Sequence, residues 1–533
     1  MIDDNAEKGS SRSLVRHGSA LSLLTLGSRV LGLVREMVKA ALLGTTALSD
    51  AFTVAFMIPN LLRRLFAEGS IAVAFIPTFK GYLIEGDREK TKEFLSATFT
   101  LLSFLVSVAV AIGIAVTPLI VPLFGMAEFD ETVLLTRVMF PYLACVSIAA
   151  FFQGILNGVH VFTPTGLAPI LLNLAIIGGA FALSPFTANP GRAMAIGVLV
   201  GGVLEAGIQL PFVLRKGYRF PFVGLKRAFT NPGTRAVLRL IGPTIVGMAA
   251  YQLNDLVSTA LAGNAGPGVV SSLQFSLRLQ ELILGVFAVS LGTVLLPDLA
   301  GHAKTGRWNE YNDRLVSAIE IIALVTVPIT FFSLAEGERI VRLLFQARSF
   351  DETSVRLTTT AFMYHIPGLF FIALNRILAP AFYAQSDSKS PTLAGLVSFG
   401  VNMALAALLV GPMKGGGVAL ALTLASAVNT VLLLAFLAKN ERIAVGRALK
   451  ASSLYALKLA LFSLVAVTPV VLLADRISAP FAGRGRLLAH GVPLTLLALL
   501  FAAVGVALLA ATKDRQAAAV ATAFSRKRAA RER

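Results

Sequence analysis

Arginine is the residue type whose placement in this chain could do chemistry, because several arginines interrupt strongly apolar stretches. A guanidinium stays charged when desolvated and binds carboxylates and phosphates through paired hydrogen bonds. An arginine near a bilayer centre costs roughly 2.5–3.5 kcal/mol on insertion scales, so these side chains should face a hydrated cavity and bind an anion, preferably a phosphate. The candidate binding residues are Arg29, Arg35, Arg63, Arg64 and Arg278, and the supporting polar or gating residues are Asp50, Asn60, Glu68 and Glu281.

The first apolar segment, SRVLGLVRE, places Arg29 and Arg35 six residues apart. In a helix this spacing corresponds to about 9 Å along the axis and about 240° around it. One guanidinium can therefore face a cavity while the other reaches between helices.

The second segment, SDAFTVAFMIPNLLRRLFAEGS, carries a proline in the middle of an apolar run. Pro59 interrupts the hydrogen-bond ladder of a helix, and Asn60, Arg63 and Arg64 follow it. A kink beside paired cations predicts a hinge and an anion site.

A third element, FSLRLQELILG, places Arg278 and Glu281 on one helix face through their i, i+3 spacing. The alternative for all these arginines is structural. They could snorkel from helix ends, or they could form internal ion pairs with Asp50, Glu68 or Glu281 that hold helices together. Apolar residues on both sides of Arg29 and Arg278 favour a functional role there, since ions inside membrane spans are usually functional.

An isolated acid, Asp255, lies beside Asn254 in the stretch YQLNDLVSTALAG. Carboxylate and amide oxygens suit sodium or another small cation, and the acid could instead relay a proton. Pairing of Asp255 with an arginine is the structural alternative. The sequence leaves ion coupling through Asp255 and Asn254 open.

Composition is typical of a polytopic membrane protein. Of 533 residues, 56% are hydrophobic and 14% are charged, and the mean hydropathy is +0.77. At about 20 apolar residues per span, the chain divides into fourteen predicted transmembrane helices of an all-α fold. These spans are residues 18–43, 48–80, 94–124, 132–157, 162–186, 192–214, 236–262, 268–299, 313–334, 355–383, 391–411, 416–438, 452–474 and 487–511.

The charge distribution predicts an orientation in the membrane. The first eighteen residues lack the apolar core of a signal peptide, so the N-terminus is predicted to be cytoplasmic. The basic tail SRKRAARER falls on the same predicted side, so the C-terminus is predicted to be cytoplasmic as well. The formal net charge is +18, and basic residues concentrate in the loops that this orientation places inside. Nucleic acid is not an expected partner, because no soluble domain is available to dock a duplex. One outside loop, residues 335–353, contains several arginines and departs from the pattern.

An internal repeat indicates two lobes. The strings LLGTTALSDAF and FFQGILNGVHVFTPTGLAPILLN find weaker counterparts roughly 220 residues later, including prolines at 164 and 391 and asparagines at 173 and 402. Two parallel six-helix lobes around a central cavity are predicted, although two apolar segments can also match by chance. The predicted regions are a cytoplasmic N-terminal segment (1–17), an N-lobe (18–214), a basic cytoplasmic linker (215–235), a C-lobe (236–438), two appended helices (452–511) and a basic cytoplasmic tail (512–533).

Motifs for catalysis are absent from the sequence. The five histidines form no HExxH pair, and there is no GxSxG, Walker A or DDxxD motif, so the chain is not predicted to be an enzyme. The single cysteine, Cys145, excludes an intramolecular disulfide and a thiolate-rich metal site. No cofactor is expected. Transport energy would come from a Na⁺ or H⁺ gradient, the membrane potential or the gradient of the substrate itself.

The strings SRVLGLVRE, SDAFTVAFMIPNLLRRLFAEGSIAVAFIPTF, GILNGVHVFTPTGLAPILLN and LGTVLLPDL resemble the MurJ (MviN) family of bacterial lipid II flippases, over about the first 440 residues. The resemblance implies the multidrug/oligosaccharidyl-lipid/polysaccharide exporter fold and alternating access in the inner membrane. It implies that the partner is lipid II, the undecaprenyl-pyrophosphoryl disaccharide-pentapeptide, which moves outward for peptidoglycan synthesis.

The resemblance also assigns roles and exposes departures. In many relatives the eighth helix has an acid and a proline where this chain has Leu277 and Ile283, which puts in doubt the salt bridge and kink of those relatives here. Helices 13 and 14 of the family form a groove for the lipid tail, so residues 452–511 take this predicted role. The arginines that the family requires for transport correspond to Arg29, Arg35, Arg63, Arg64 and Arg278, with associated polar positions at Asp50, Asn60, Glu68 and Glu281.

Three other functions remain open from the sequence. An exporter of other lipid-linked oligosaccharides or of drugs would share the fold but carry fewer paired arginines. A membrane transferase acting on polyprenyl phosphates would need clustered carboxylates for magnesium. A non-transporting scaffold for cell-wall synthesis proteins would tolerate alanine at Arg29 or Arg278.

Overall fold

The computed structural model describes residues 4–64 and 74–529, and these residues form helices and no strands. The predicted all-α fold is confirmed. Glu68 lies outside the described residues. The helices are α1 (Asp4–Leu43), α2 (Ala47–Arg63), α3 (Ile76–Glu85), α4 (Arg88–Ile120), α5 (Phe129–Met139), α6 (Tyr142–Gly158), α7 (Thr163–Ala182), α8 (Pro190–Arg215), α9 (Leu225–Thr230), α10 (Pro232–Gly263), α11 (Val269–Lys304), α12 (Trp308–Phe345), α13 (Glu352–His365), α14 (Gly368–Tyr383), α15 (Lys389–Met413), α16 (Gly415–Leu437), α17 (Val445–Ser478), α18 (Val492–Ala511) and α19 (Arg515–Ala529).

Many of these helices can cross a bilayer. In the described parts of the chain, nine helical segments are long and apolar enough to do so, and ten if the bent pair α13 and α14 counts as one span. The total of fourteen spans stays a prediction. The predicted spans 132–157 and 355–383 are each formed by two helices, because a proline, Pro141 or Pro367, precedes the second helix and cannot donate to the preceding turn.

The chain forms two compact units, residues 1–271 and 272–533, and the division falls inside α11. In the first unit, aromatic rings pack between α3, α4 and α6. The Phe75 ring centroid lies 5.6 Å from that of Phe94 and 5.2 Å from that of Phe151. Helices α7 and α8 approach closely at Gly197, where a Cβ atom would lie 2.8 Å from the Ala175 carbonyl oxygen.

In the second unit, α12 is the central element and packs against α13, α14 and α17. Phe275, Phe345 and Phe350 form a buried aromatic cluster with ring centroids 5.0–5.8 Å apart. Helices α17 and α18 pack against each other and against α12. The two appended helices predicted from the sequence are therefore part of this unit.

The order of elements repeats between the units. A helix pair divided at a proline precedes two long helices in both α5–α8 and α13–α16. Asn173 in α7 and Asn402 in α15 are both buried. The two units thus share one local arrangement, which places a polar amide inside an otherwise apolar helix.

Candidate binding site

Arg35 is held between three helices of the first unit. Its Nη1 donates to Asn173 Oδ1 of α7 at 3.1 Å, and its Nη2 donates to Glu36 Oε1 at 2.7 Å. The guanidinium carbon also lies 5.9 Å from the ring centroid of Phe56 in α2. Only 14% of the side chain is exposed. Arg35 therefore joins α1, α2 and α7, and a ligand could reach it only by separating them.

Arg29 has a different environment on the same helix. It is exposed, and it makes no ion pair with any side chain that the structure describes. Its neighbours Leu26 and Val30 are exposed as well. The angular offset between positions 29 and 35 thus leaves one guanidinium accessible and the other enclosed.

The C-terminal end of α2 carries the second pair of arginines. Arg63 Nε donates to Asn60 Oδ1 at 2.8 Å, within the same helix. Arg64 Nη1 lies 3.3 Å from Gln252 Oε1 and 3.6 Å from Asp255 Oδ2, both on α10. The side chains of Arg64 and Asp255 are 38% and 50% exposed. Asp255 thus pairs with an arginine, which was the alternative to binding a small cation.

Asp50 is not beside any of the predicted arginines. Its carboxylate accepts hydrogen bonds from the backbone N–H groups of Gly268 and Ser271, at 2.6 and 2.7 Å. These amides lie at the N-terminus of α11, where a carboxylate satisfies unpaired donors and the helix dipole favours negative charge. Asp50 is buried, and it connects the start of α2 to the start of α11.

Arg278 lies on α11 within the second unit and pairs with Glu281, one turn later. Nη1 lies 2.8 Å from Glu281 Oε2, and the two side chains are 40% and 55% exposed. The acid at position 281 thus provides a local ion pair although position 277 is leucine. The pair remains accessible.

The face of α11 opposite Arg278 is hydrogen-bonded to α13. Ser276 Oγ lies 2.6 Å from His365 Nδ1, and Gln280 Nε2 donates to the His365 carbonyl oxygen at 2.6 Å. All three residues are buried. Because Ser276 and Gln280 are separated by one helical turn, these bonds set the rotation of α11 and hence the face on which Arg278 lies.

Several of these partners were not identified from the sequence. Asn173, Gln252 and His365 are single polar residues in apolar runs. Asn173 was noted only as a counterpart of Asn402 in the internal repeat, and its contact with Arg35 was not predicted. Lys39 is a further case, since it is buried and donates to Thr53 Oγ1 at 2.5 Å. Among the described residues, no group of three His, Cys, Asp or Glu side chains is arranged to hold a metal ion.

Comparison with known proteins identifies the family. The family model described as "Lipid II flippase MurJ" matches residues 39–482. A probable lipid II flippase MurJ of Treponema pallidum (strain Nichols) is 47% identical over 511 residues, covering 95% of this chain and 97% of the relative. A solved structure of lipid II flippase MurJ in an inward closed conformation covers 92% of this chain and 97% of its own, with a TM-score of 0.75 and 23% identity. An inward-facing multidrug resistance MATE transporter of the MOP superfamily shares the fold at a TM-score of 0.65 and 15% identity, covering 79% of this chain and 96% of its own. The chain is a multi-pass membrane protein that belongs to the lipid II flippase MurJ family.

Proposed function

We propose that this chain moves lipid II from the inner to the outer leaflet of the bacterial cytoplasmic membrane by alternating access. The chain belongs to a flippase family, and one structural observation supports the proposal. Arg29, Arg64 and Arg278 are accessible on predicted membrane-spanning helices. Guanidinium groups bind diphosphates through paired, charge-assisted hydrogen bonds. The ion pairs of Arg64 and Arg278 are half-exposed and so contribute little to stability, which lets a phosphate displace the carboxylate.

Reconstitution tests this function directly. Vesicles containing the purified chain and fluorescent lipid II should expose the inner-leaflet headgroup to an external reagent faster than protein-free vesicles do. Lipid II recovered afterwards should have an unchanged mass, because the proposal involves no covalent step. Equal exposure with and without protein would contradict transport, and exposure by the Arg278→Ala variant at the wild-type rate would contradict the role of the arginines.

The membrane potential is the energy source that we propose. Two phosphate charges crossing an inside-negative field of 100 mV gain up to roughly 5 kcal/mol. Sodium or proton coupling through Asp255 and Asn254 has less support, because the Asp255 carboxylate lies 3.6 Å from Arg64. Setting the potential to zero with a potassium ionophore should slow flipping in the vesicles. An unchanged rate at zero potential, combined with a dependence on sodium or pH, would favour ion coupling instead.

The prenyl tail of lipid II is proposed to lie along α17. Leu454, Leu457, Leu461 and Leu464 recur at helical spacing and are all exposed, which forms an apolar stripe. A photoactivatable lipid II tail should crosslink to this stripe more strongly than to the exposed residues Leu396 and Val397 of α15, which serve as the control.

A further inference from the structure

Arginines converge at the end of the second unit where α12, α13 and the connection from α17 to α18 meet. They comprise Arg339 and Arg342 at the end of α12, Arg348 in the following loop, and Arg484 and Arg486 before α18. Part of this arginine cluster lies in residues 335–353, which were predicted to form an outside loop, where arginine is unusual. The structure places residues 335–345 of this segment in α12 instead. The proposed transport of lipid II uses none of these five residues.

Two members of the cluster are structural. Arg342 binds Glu352 of α13 through both terminal nitrogens, at 2.6 and 2.7 Å, and Glu338 at 2.7 Å. Arg339 pairs with Glu336 at 2.7 Å and donates to Ser478 of α17. These bonds satisfy both guanidiniums with carboxylates and connect α12 to α13 and α17.

The other three arginines have no such carboxylate. Arg486 Nη1 donates to the Gln346 carbonyl oxygen at 3.1 Å, which brings the two loops together. Arg348 follows Gln346 by two residues, and Arg484 precedes Arg486 by two residues. Two residues of chain span at most about 7 Å, so the backbones of both arginines lie close to this contact. None of the three forms an ion pair with a carboxylate in the described parts of the chain.

The acid that follows in the loop, Asp351, is already engaged. Its carboxylate accepts the backbone N–H of Ser354 at 2.8 Å and caps α13. This hydrogen bond holds the pKa of Asp351 below its usual value, so the carboxylate is ionised but directed to the helix N-terminus. Three arginines without a carboxylate partner therefore lie on two loops that are in contact with each other.

The backbone at Arg348 gives an independent indication of function. Its φ is +46°, in the left-handed region that non-glycine residues rarely adopt, and its side chain is exposed. Glycine would adopt this conformation without strain. Strained residues cluster at functional sites, and the exposed side chain of Arg348 is accessible to a ligand.

The surroundings indicate which ligand. Leu487 and Leu488 follow Arg486 directly and are exposed, with Leu487 at 71%. Val471 and Leu472 of α17 are exposed as well. Cations beside apolar side chains match a phosphate headgroup with its hydrocarbon chains at the edge of a bilayer. A free phosphate would use only the cations.

We propose that Arg348, Arg484 and Arg486 bind the phosphate headgroup of an anionic glycerophospholipid. The proposed site requires net negative charge on the headgroup, because none of its three arginines forms an ion pair with a carboxylate in the described parts of the chain. A polyprenyl diphosphate offers the same phosphate chemistry, so the experiment separates the two sources.

Native mass spectrometry of the full chain in detergent measures the binding. Phosphatidylglycerol, phosphatidylcholine, undecaprenyl diphosphate and inorganic phosphate are titrated separately. The wild type should prefer phosphatidylglycerol to phosphatidylcholine by tenfold or more. The variant R348Q/R484Q/R486Q should lose most of this preference. The variant R215Q/K216Q/R219Q removes the same charge from an exposed loop of the first unit and should change the preference less than twofold.

Four results would overturn the proposal. These are equal binding of the two phospholipids, an equal loss in both triple variants, competition by inorganic phosphate at the lipid's own concentration, and tighter binding of undecaprenyl diphosphate that is lost in R348Q/R484Q/R486Q. The last result would assign the site to the carrier lipid.

The single variant Arg348→Gly gives a further test, because glycine relieves the backbone strain. Its thermal midpoint should rise while its affinity for phosphatidylglycerol falls. Wild-type affinity in this variant would contradict the role of Arg348.

Discussion

Arg35 and Arg278 show two different uses of the same residue type within predicted membrane spans. Arg35 is enclosed by an asparagine, a glutamate and an aromatic ring, whereas Arg278 shares a half-exposed ion pair with Glu281. Removing one partner of a buried ion pair leaves a charge without compensation, which destabilises strongly. An exposed pair contributes about 0–1 kcal/mol, so its partners can exchange. Arginines of the first kind hold helices together, and those of the second kind can bind a ligand.

The largest expected effect is on stability at Arg35. Arg35→Ala leaves Glu36 and Asn173 without this partner and should lower the free energy of unfolding by about 3–5 kcal/mol. Thermal unfolding in detergent measures the loss. Arg29→Ala, on the same helix but exposed, is the matched control and should change the midpoint little. Equal shifts in the two variants would remove the distinction between an enclosed and an accessible arginine.

At Arg278 the expected effect is on transport. Hydrogen bonds to charged groups contribute about 1.5–3 kcal/mol, so Arg278→Ala should slow flipping of lipid II by tenfold or more. The vesicle assay measures the rate, and the unfolding midpoint should remain near that of the wild type. Arg314→Ala is the control, because this exposed arginine of α12 lies 3.9 Å from Asp298 in a pair of similar accessibility. Similar rates in both variants would place Arg278 among structural residues.

Asp50 extends the comparison to a buried acid. Asp50→Asn keeps one acceptor but removes the charge at the N-terminus of α11, so it should lower the free energy of unfolding by about 1–2 kcal/mol. Amide hydrogen exchange at Gly268 and Ser271 should increase. Unchanged exchange there would show that the hydrogen bonds do not hold these amides.

A second buried acid, Asp514, gives a pH dependence. Burial alone would raise its pKa, but hydrogen bonds from Lys458, the Ala517 backbone and Tyr455 outweigh burial and hold the pKa below its usual value. Stability from this group is complete above the unfolded pKa of about 3.9 and is lost as the pH falls through the lowered value. Hydrogen exchange of the backbone amides of residues 515–522, corrected for intrinsic rate, should therefore increase as the pH is lowered from 5 through the unfolded pKa of about 3.9. Asp514→Asn should show fast exchange already at pH 7, and slow exchange in that variant would contradict the anchoring of α19.

The smallest effect is expected at Asp255. Asp255→Asn removes an ion pair with Arg64 whose partners are half-exposed, so the free energy of unfolding should change by less than about 1 kcal/mol. Thermal unfolding again measures this change. A loss as large as that of Arg35→Ala would show that Arg64 is held as firmly as Arg35.

Much of the fold could be predicted from the sequence, because hydropathy and helix-breaking residues are local properties. The apolar runs predicted helices, and the family motifs predicted the fold that the comparisons confirm. The division of two predicted spans at Pro141 and Pro367 was not predicted, although proline is a local signal. The candidate arginines were identified by their type, but type does not distinguish Arg35 from Arg278.

The sequence by itself determined that the chain is helical, spans a membrane and carries arginines suited to an anion. Only the tertiary structure decided which arginines remain accessible. Asn173 reaches Arg35 across 138 residues of chain, and Gln252 reaches Arg64 across 188. Such partners follow from how helices pack, and packing depends on the shapes of whole helix faces rather than on the spacing of residues within one segment.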